Sequence, residues 1–230
     1  MPRRLAIAAA AMLLLAAFAF WPQYLSKLDQ ADGYTHSHAV LGTCWLLILI
    51  AQPLLIRARK IVLHRTFGRL ALVVAVAFFA TGVLVAHRGV VRMSVEQLER
   101  EGYFLYLPLS MSLIFGAAAL LGVLWRSVPT IHGRFMASTA VPLLDPLIAR
   151  ILYFYFPPLP AEFLYQVPAF TVAAAALVVM AVTIPKSVRG RAAFWTFSLC
   201  TAVVLLVYFA TPYSEAWLNF VKWFRALPIT

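Results

Sequence analysis

The sequence predicts an all-α integral membrane protein with seven transmembrane helices, and three observations support this fold class. Of its 230 residues, 63% are hydrophobic and only 12% are charged, whereas a soluble domain has about 25% charged residues. A chain of this size cannot bury so much apolar surface in a water-soluble core, so lipid must surround most of it. The apolar residues also fall into seven runs of about 20 residues, the length that crosses a bilayer as a helix. Finally, the basic residues lie in alternate connections between these runs.

The elements follow from these runs in chain order, and together they form one domain over residues 1–230. The first run follows Arg3 and Arg4 and has the form of a signal peptide, but we expect it to remain as the first helix. Ser94 and Gln97 match a capping box, which predicts a short surface helix in the connection over 88–103. The last apolar residues recur at helical spacing and predict an amphipathic helix in the membrane interface. We expect transmembrane helices at residues 5–22, 36–56, 66–87, 104–125, 135–156, 163–184 and 193–211, and the interfacial helix at 214–226.

The charge distribution predicts how the chain is oriented. Twelve of the 19 Lys and Arg residues lie at the N-terminus and in three alternate connections, and these segments contain no acidic residue. Because Lys and Arg collect on the cytoplasmic side, we expect the N-terminus in the cytoplasm and the C-terminus outside. This asymmetry accounts for the net charge of +11 without a nucleic-acid partner. The expected partners are the lipid bilayer and phospholipid headgroups at the basic loops.

Three histidines are expected at the outer face, where His36 and His38 open the second helix and His87 ends the third. Imidazole is the commonest metal ligand and can hold haem iron. His36 and His38 can converge only if the first of them precedes the helix in extended form, because positions two apart on a helix point in nearly opposite directions. Asp29 and Asp32 could add carboxylates to such a site. We expect a transition metal bound by His36, His38 and His87, or haem b bound through His38 and His87. The alternative is that these histidines bond only to headgroups and loop backbone.

Two further histidines, His64 and His132, are expected at the inner face. Each precedes a basic helix start that contains glycine, and Gly68 lies one turn after His64. A small residue beside an imidazole leaves room for a flat macrocycle, so this pair is the candidate for an inner haem site. The alternative is a basic loop that holds phospholipid headgroups.

Asp145 is the acidic residue placed most unusually, about ten residues into the predicted fifth helix. A charge near the middle of the bilayer costs several kcal/mol, so Asp145 must be neutral, paired or exposed to a wet cavity. Arg150 lies five positions later, about 140° around the helix, and is not an ideal partner within an undistorted helix. We expect Asp145 to face the interior of the bundle, and we take Asp145 and Arg150 as candidate catalytic residues.

Three motifs carry a resemblance to known proteins: His64-Arg65 with Gly68-Arg69, the run from His132 to Met136, and Asp145-Pro146 with Arg150. Over residues 34–156 the chain resembles a group of uncharacterised bacterial multi-helix membrane proteins of unknown function. This resemblance implies a location in the bacterial inner (cytoplasmic) membrane. More loosely, histidines at both ends of a four-helix core are similar to the cytochrome b561-like class, which implies haem b held by paired histidines. Here the histidines lie at helix ends, whereas in that class they lie a turn or two inside.

Two functional hypotheses follow. The first is a redox or metal-dependent membrane protein with a histidine site at its outer face, which could be an oxidoreductase and would need a redox partner or a second copy of the chain. The alternative is a non-enzymatic carrier, proton-linked sensor or membrane assembly factor that uses Asp145 in a polar cavity. The sequence has no serine-hydrolase triad or metalloprotease signature, and the last apolar run has no lysine for a retinal Schiff base.

Overall fold

The computed structural model describes residues 2–159, 162–210 and 214–230, and it confirms the all-α prediction. The chain is 82% helical and contains no strand in the described residues. Short 3₁₀ turns at Leu25–Gln30, Gly102–Leu105 and Glu162–Tyr165 join some of the helices. The α-helices are α1 (Pro2–Phe20), α2 (Gly33–Arg57), α3 (Ile61–Val91), α4 (Val95–Glu101), α5 (Tyr106–Leu124), α6 (Pro129–Ser138), α7 (Val141–Tyr155), α8 (Gln166–Val182), α9 (Arg191–Val207) and α10 (Glu215–Arg225).

Five stretches of the described chain are long and apolar enough to cross a membrane. Two further apolar helices, α8 and α9, have 17 residues each and are shorter than the usual span. The chain is therefore an integral membrane protein by length and composition, and the count of seven spans stays a prediction. The five stretches are Arg3–Phe20, Gly33–Arg57, Ile61–Val91, Val95–Leu124 and Pro129–Tyr155.

The predicted fifth helix, 135–156, is wrong in its bounds. The helical stretch begins at Pro129, and it breaks into α6 and α7 between Ser138 and Val141. Proline explains both features: Pro129 supplies a favourable first helical residue, and Pro142 stands in the first turn of α7, where its missing N–H is harmless.

Two smaller elements were predicted correctly. Ser94 and Gln97 form a reciprocal capping box at the start of α4, with nitrogen–oxygen distances of 2.9 and 3.1 Å. The helix α10 lies inside the predicted range 214–226 and buries Val221 and Phe224 against α3 and the turn before α5. That α10 rests in the membrane interface remains a prediction.

The helices α1, α2, α3, α5 and α7 form a closed cycle of neighbours. Each packs against the next, and α7 returns to α1. Trp45 and Phe115 fill the junction of α2, α3 and α5 with rings 5.1 Å apart, together with three small residues, Ala71, Ala75 and Ala119. The Trp45 indole donates a hydrogen bond to Thr139 Oγ1 at 3.0 Å, which ties the junction to the break between α6 and α7. Outside the cycle, α8 and α9 pack on α5, α6 and α7.

Contacts between distant segments define the two ends of the bundle. At one end the ring of Trp125 lies against Gly190, and the rings of His64 and His132 meet. We call this the basic end, because it holds the loops rich in Lys and Arg. At the other end, which we call the opposite end, Arg92 donates a hydrogen bond to Asp32 at 2.8 Å. The positive-inside tendency predicts that the basic end faces the cytoplasm.

Arg134 holds the basic end together. Its side chain is buried, and its guanidinium donates to the carbonyls of Met180, Thr183 and Thr130 at 2.9 to 3.1 Å and to the Thr183 hydroxyl at 3.3 Å. The last carbonyls of a helix have no partner within it, and a cation there also complements the helix dipole. Arg134 of α6 therefore caps the end of α8.

We expect Arg134→Met to lower the free energy of unfolding by about 3 kcal/mol, because it removes a buried guanidinium that donates to the end of α8, including the Thr183 carbonyl. Arg134→Lys should lie in between, since an ammonium cannot reproduce the planar fork. Denaturant unfolding of the purified protein measures both changes. Arg126→Met is the matched control, because Arg126 is exposed in the neighbouring loop. Equal stability of the two Met variants would contradict the capping role.

Candidate functional site

The three histidines predicted to share a metal each have a partner of their own. The Nδ1 atoms of His36, His38 and His87 lie 2.9, 3.2 and 2.6 Å from the hydroxyl oxygens of Tyr24, Thr81 and Thr230, respectively. Among the described residues, no group of three or more His, Cys, Asp or Glu side chains is arranged to hold a metal ion. The structure therefore does not assemble the expected outer-face metal site.

The position of the helix start explains this outcome. The metal hypothesis needed His36 to precede the helix in extended form, but α2 begins at Gly33, so both His36 and His38 are helical. Residues two apart on a helix point about 200° apart, and the two rings turn to different neighbours. His87 contacts the C-terminal segment, with its ring 5.0 Å from that of Phe224. His38 and His87, the two expected haem ligands, therefore contact different residues, Thr81 and Thr230.

Asp32 is also engaged in a structural role. It caps α2 by accepting a hydrogen bond from the Thr35 N–H at 2.9 Å, and it pairs with Arg92 at 2.8 Å and Arg88 at 3.6 Å. The hydrogen bonds from Thr35 and then the two guanidinium groups lower the pKa of this carboxyl. Asp29, the other proposed carboxylate ligand, is exposed.

His38 lies in a closely packed junction of three helices. The Thr81 hydroxyl donates to the carbonyls of Ala77 and Phe78 at 2.9 and 3.1 Å, so its oxygen accepts from His38. The network therefore assigns the proton to Nδ1 of His38 and leaves the lone pair on Nε2. A Cβ on Gly82 would lie 2.7 Å from Ser112 Oγ and 3.4 Å from His38 Cε1, so the absence of a side chain at this position lets α3 lie close to both residues.

Asp145 is buried, with 7% of its surface exposed, as the sequence predicted for a residue facing the bundle interior. Its Oδ1 atom is buried without a hydrogen-bond partner in the part of the chain that the structure describes. Arg150 is near enough to interact electrostatically with both Asp145 and His38. Its guanidinium donates to the Pro146 carbonyl at 3.2 Å and to Gln23 Oε1 at 3.3 Å. The Cζ atom of Arg150 also lies over the ring of Phe20, 4.7 Å from the ring centre.

We call His38, Thr81, Ser112, Asp145 and Arg150 the polar cluster. At a rise of 1.5 Å per residue, His38 lies about 7.5 Å from the start of α2 and Arg150 about 7.5 Å from the end of α7. Asp145 lies about 15 Å from that same end. The exposed Gln23, at the opposite end, is hydrogen-bonded to Arg150. Polar groups therefore continue from the opposite end into the interior as far as Asp145.

The inner pair, His64 and His132, is brought together as the sequence predicted. The ring centres are 6.4 Å apart and the planes are nearly perpendicular, at 85°. Nδ1–H of His132 donates to the Gly122 carbonyl at 2.7 Å, which leaves its Nε2 lone pair free. Nδ1 of His64 is buried without a hydrogen-bond partner among the described residues. A metal–nitrogen bond is about 2 Å long, and the ring centre of an imidazole lies roughly 1 Å beyond its nitrogen. Two imidazoles on opposite sides of one ion therefore have ring centres about 6 Å apart. The pair fits that spacing.

Comparison with known proteins gives no assignment: no family model, no curated protein and no solved structure matches the chain. The chemistry therefore rests on the residues themselves. Thr81, Gly82 and Ser112 were not predicted as site residues, because they are ordinary residues for a membrane helix. One signal existed for two of them, since Thr81 and Gly82 are adjacent small residues of the kind that lets helices approach closely.

Proposed function

We propose that this chain is a proton-linked integral membrane protein, a carrier or sensor, in which the polar cluster binds and releases a proton. The observation that carries the proposal is the Asp145 carboxyl, buried between apolar helices with Oδ1 unpartnered among the described residues. We further propose seven spans in a bacterial inner membrane, with the basic end in the cytoplasm, because the basic loops and apolar helices fit that arrangement.

Energetics favour a functional role for Asp145. A carboxylate within a membrane span is unfavourable, and such residues mark ion or proton pathways far more often than they stabilise a fold. The nearby charge on Arg150 can offset part of that cost, but the hydrogen bonds of Arg150 go to Pro146 and Gln23. The carboxyl therefore keeps a free oxygen that a proton, a water molecule or a polar cargo can use.

His38 adds a second group that can exchange a proton. Its Nδ1 is fixed by Thr81, and its free Nε2 can accept a proton while Nδ1–H stays bonded. Arg150 interacts with both His38 and Asp145, so a change of charge at either group alters the electrostatic energy of the same guanidinium. This coupling is what a proton-linked conformational change requires.

Asp145→Asn tests the proposal with infrared difference spectra recorded on the purified, reconstituted protein as the pH is lowered. A protonated carboxyl gives its own carbonyl band, and we expect one such band in the wild type that is absent from Asp145→Asn. The reason is that asparagine keeps the shape of the side chain but cannot take up a proton. We also expect Arg150→Gln to move the pH at which this band appears, because it removes the neighbouring charge.

Asp32→Asn is the matched control, since it removes a carboxyl at the same end that serves as a helix cap. Asp32 has a lowered pKa, so its contribution to stability is present above the pKa of the unfolded chain and is lost as the pH falls through the lower, folded-state pKa. The Asp145 band should persist in Asp32→Asn. Spectra of Asp145→Asn that match those of the wild type would refute the proton-binding role.

A second candidate function, electron transfer through haem or a metal ion, is favoured by the inner pair. The ring separation of 6.4 Å and the free ring nitrogens of His64 and His132 suit two ligands on opposite faces of one iron. A haem there would supply one-electron chemistry. The residues would hold it near the basic end, where Arg65 could meet its carboxylates.

Optical spectra and elemental analysis of the purified protein test this candidate. If the pair is a ligand set, the wild type shows a Soret band or a stoichiometric transition metal, and His64→Ala and His132→Ala each lose at least about nine-tenths of it, since one ligand of two is removed. His36→Ala is the control, because that ring bonds Tyr24 at the other end. A colourless, metal-free wild type rules out this candidate and leaves the polar cluster unaffected.

A further inference from the structure

A shallow concavity of about 530 Å³ lies at the basic end, where the chain enters α9. It is at the other end of the bundle from the polar cluster and is independent of the proposed proton chemistry. Its floor is the turn between α8 and α9, and its wall is the first turn of α9. The lining residues are Lys186, Val188, Gly190, Arg191, Ala192 and Trp195.

The concavity has a fixed shape. Two backbone hydrogen bonds, from Val188 N–H to Pro185 and from Arg191 N–H to Val188, fold the loop into consecutive turns. Gly190 has a φ of 87°, a conformation that favours glycine, and a Cβ there would lie 2.6 Å from the Trp125 ring. The indole of Trp125, the residue after α5, therefore lies directly against the loop and supports it.

The charge of the concavity is uncompensated. Lys186 and Arg191 both line it, and Nε of Arg191 is buried without a hydrogen-bond partner among the described residues. The sequence has no acidic residue between Glu162 and Glu215, so no carboxylate of this loop or of the two helices beside it can pair with them. A buried guanidinium nitrogen without an acceptor is unfavourable and is the group that an oxyanion would satisfy.

We propose that this concavity binds the phosphate of an anionic phospholipid. Arg and Lys are the usual ligands of phosphate oxygens, and a phosphodiester matches the guanidinium fork of Arg191. Trp195 lines the same concavity, and tryptophan is enriched at the level of lipid headgroups. Beside it, the apolar side chains of Val179, Val182 and Leu199 are exposed on α8 and α9, where acyl chains can lie. No side chain caps α9, so the positive end of its helix dipole adds to the potential.

The thermal stability of the purified full chain in a neutral detergent measures the binding. Phosphatidylglycerol should raise the unfolding temperature, whereas phosphatidylcholine with the same acyl chains should not. The double variant Lys186→Gln/Arg191→Gln should need at least about tenfold more phosphatidylglycerol for the same rise, because two charges near the surface are lost. The swap Lys186→Arg/Arg191→Lys keeps both charges but moves the guanidinium fork, so it should need less phosphatidylglycerol than the Gln pair for the same rise. This comparison separates loss of charge from misfolding.

The matched control is Arg57→Gln/Lys60→Gln, which removes one Arg and one Lys from exposed positions of another basic loop at the same end. This variant should respond to phosphatidylglycerol like the wild type. An equal loss of response in both Gln pairs would overturn the proposal, since attraction would then be general and not local. A rise produced by inorganic phosphate alone, with none from phosphatidylglycerol, would likewise overturn the assignment to lipid.

Discussion

A charged group between apolar helices must find compensation within the protein, because the hydrocarbon around it supplies none. In this chain that constraint applies most strictly to Asp145. Its helix, α7, packs against both α1 and α5. Arg150 lies on the same helix, nearer the opposite end, and its positive charge interacts with Asp145. The hydrogen bond from Arg150 to Gln23 then links α7 to the segment after α1. The closure of the helix cycle and the polar cluster are thus parts of one electrostatic arrangement.

Several other buried polar groups are hydrogen-bonded and have structural roles. Arg134 caps α8, Trp45 bonds Thr139, and Thr81 bonds two carbonyls. Other buried atoms have no hydrogen-bond partner among the described residues, and three of them are Asp145 Oδ1, His64 Nδ1 and Arg191 Nε. Each lies in a different region, and each is the centre of one proposal made above. Leaving such an atom unbonded costs about 1–3 kcal/mol, so a proton, a metal ion or a phosphate at these positions would recover free energy.

The sequence predicted those features that depend on composition or on short patterns. Apolar runs predicted the helices, and Ser94 with Gln97 predicted a helix cap. Asp145 was noticed because a charged residue in an apolar run is rare. Among the described residues the outer histidines form no group of three ligands, because that arrangement depended on whether α2 starts before or after His36. Helix ends are the least certain part of a pattern. Arg134 was taken as one more basic loop residue, since its bonds to Met180 and Thr183 join positions 46 and 49 residues away. The roles of Gly82 and Ser112 depend on contacts among α2, α3 and α5, which a sequence pattern does not contain.

In the proposed function, polar groups give water and protons access from the opposite end to the interior of the helix cycle. Cysteine labelling in sealed vesicles measures this directly, with Cys44 and Cys200 replaced by serine. Thiols react as thiolates, which form only where water reaches. We expect Ser112→Cys, beside His38, to react with a membrane-impermeant thiol reagent added at the opposite end. Leu113→Cys, on the exposed apolar face of the same helix, should stay unmodified. Absence of reaction at position 112, or equal reaction at positions 112 and 113, would contradict water access through the polar cluster.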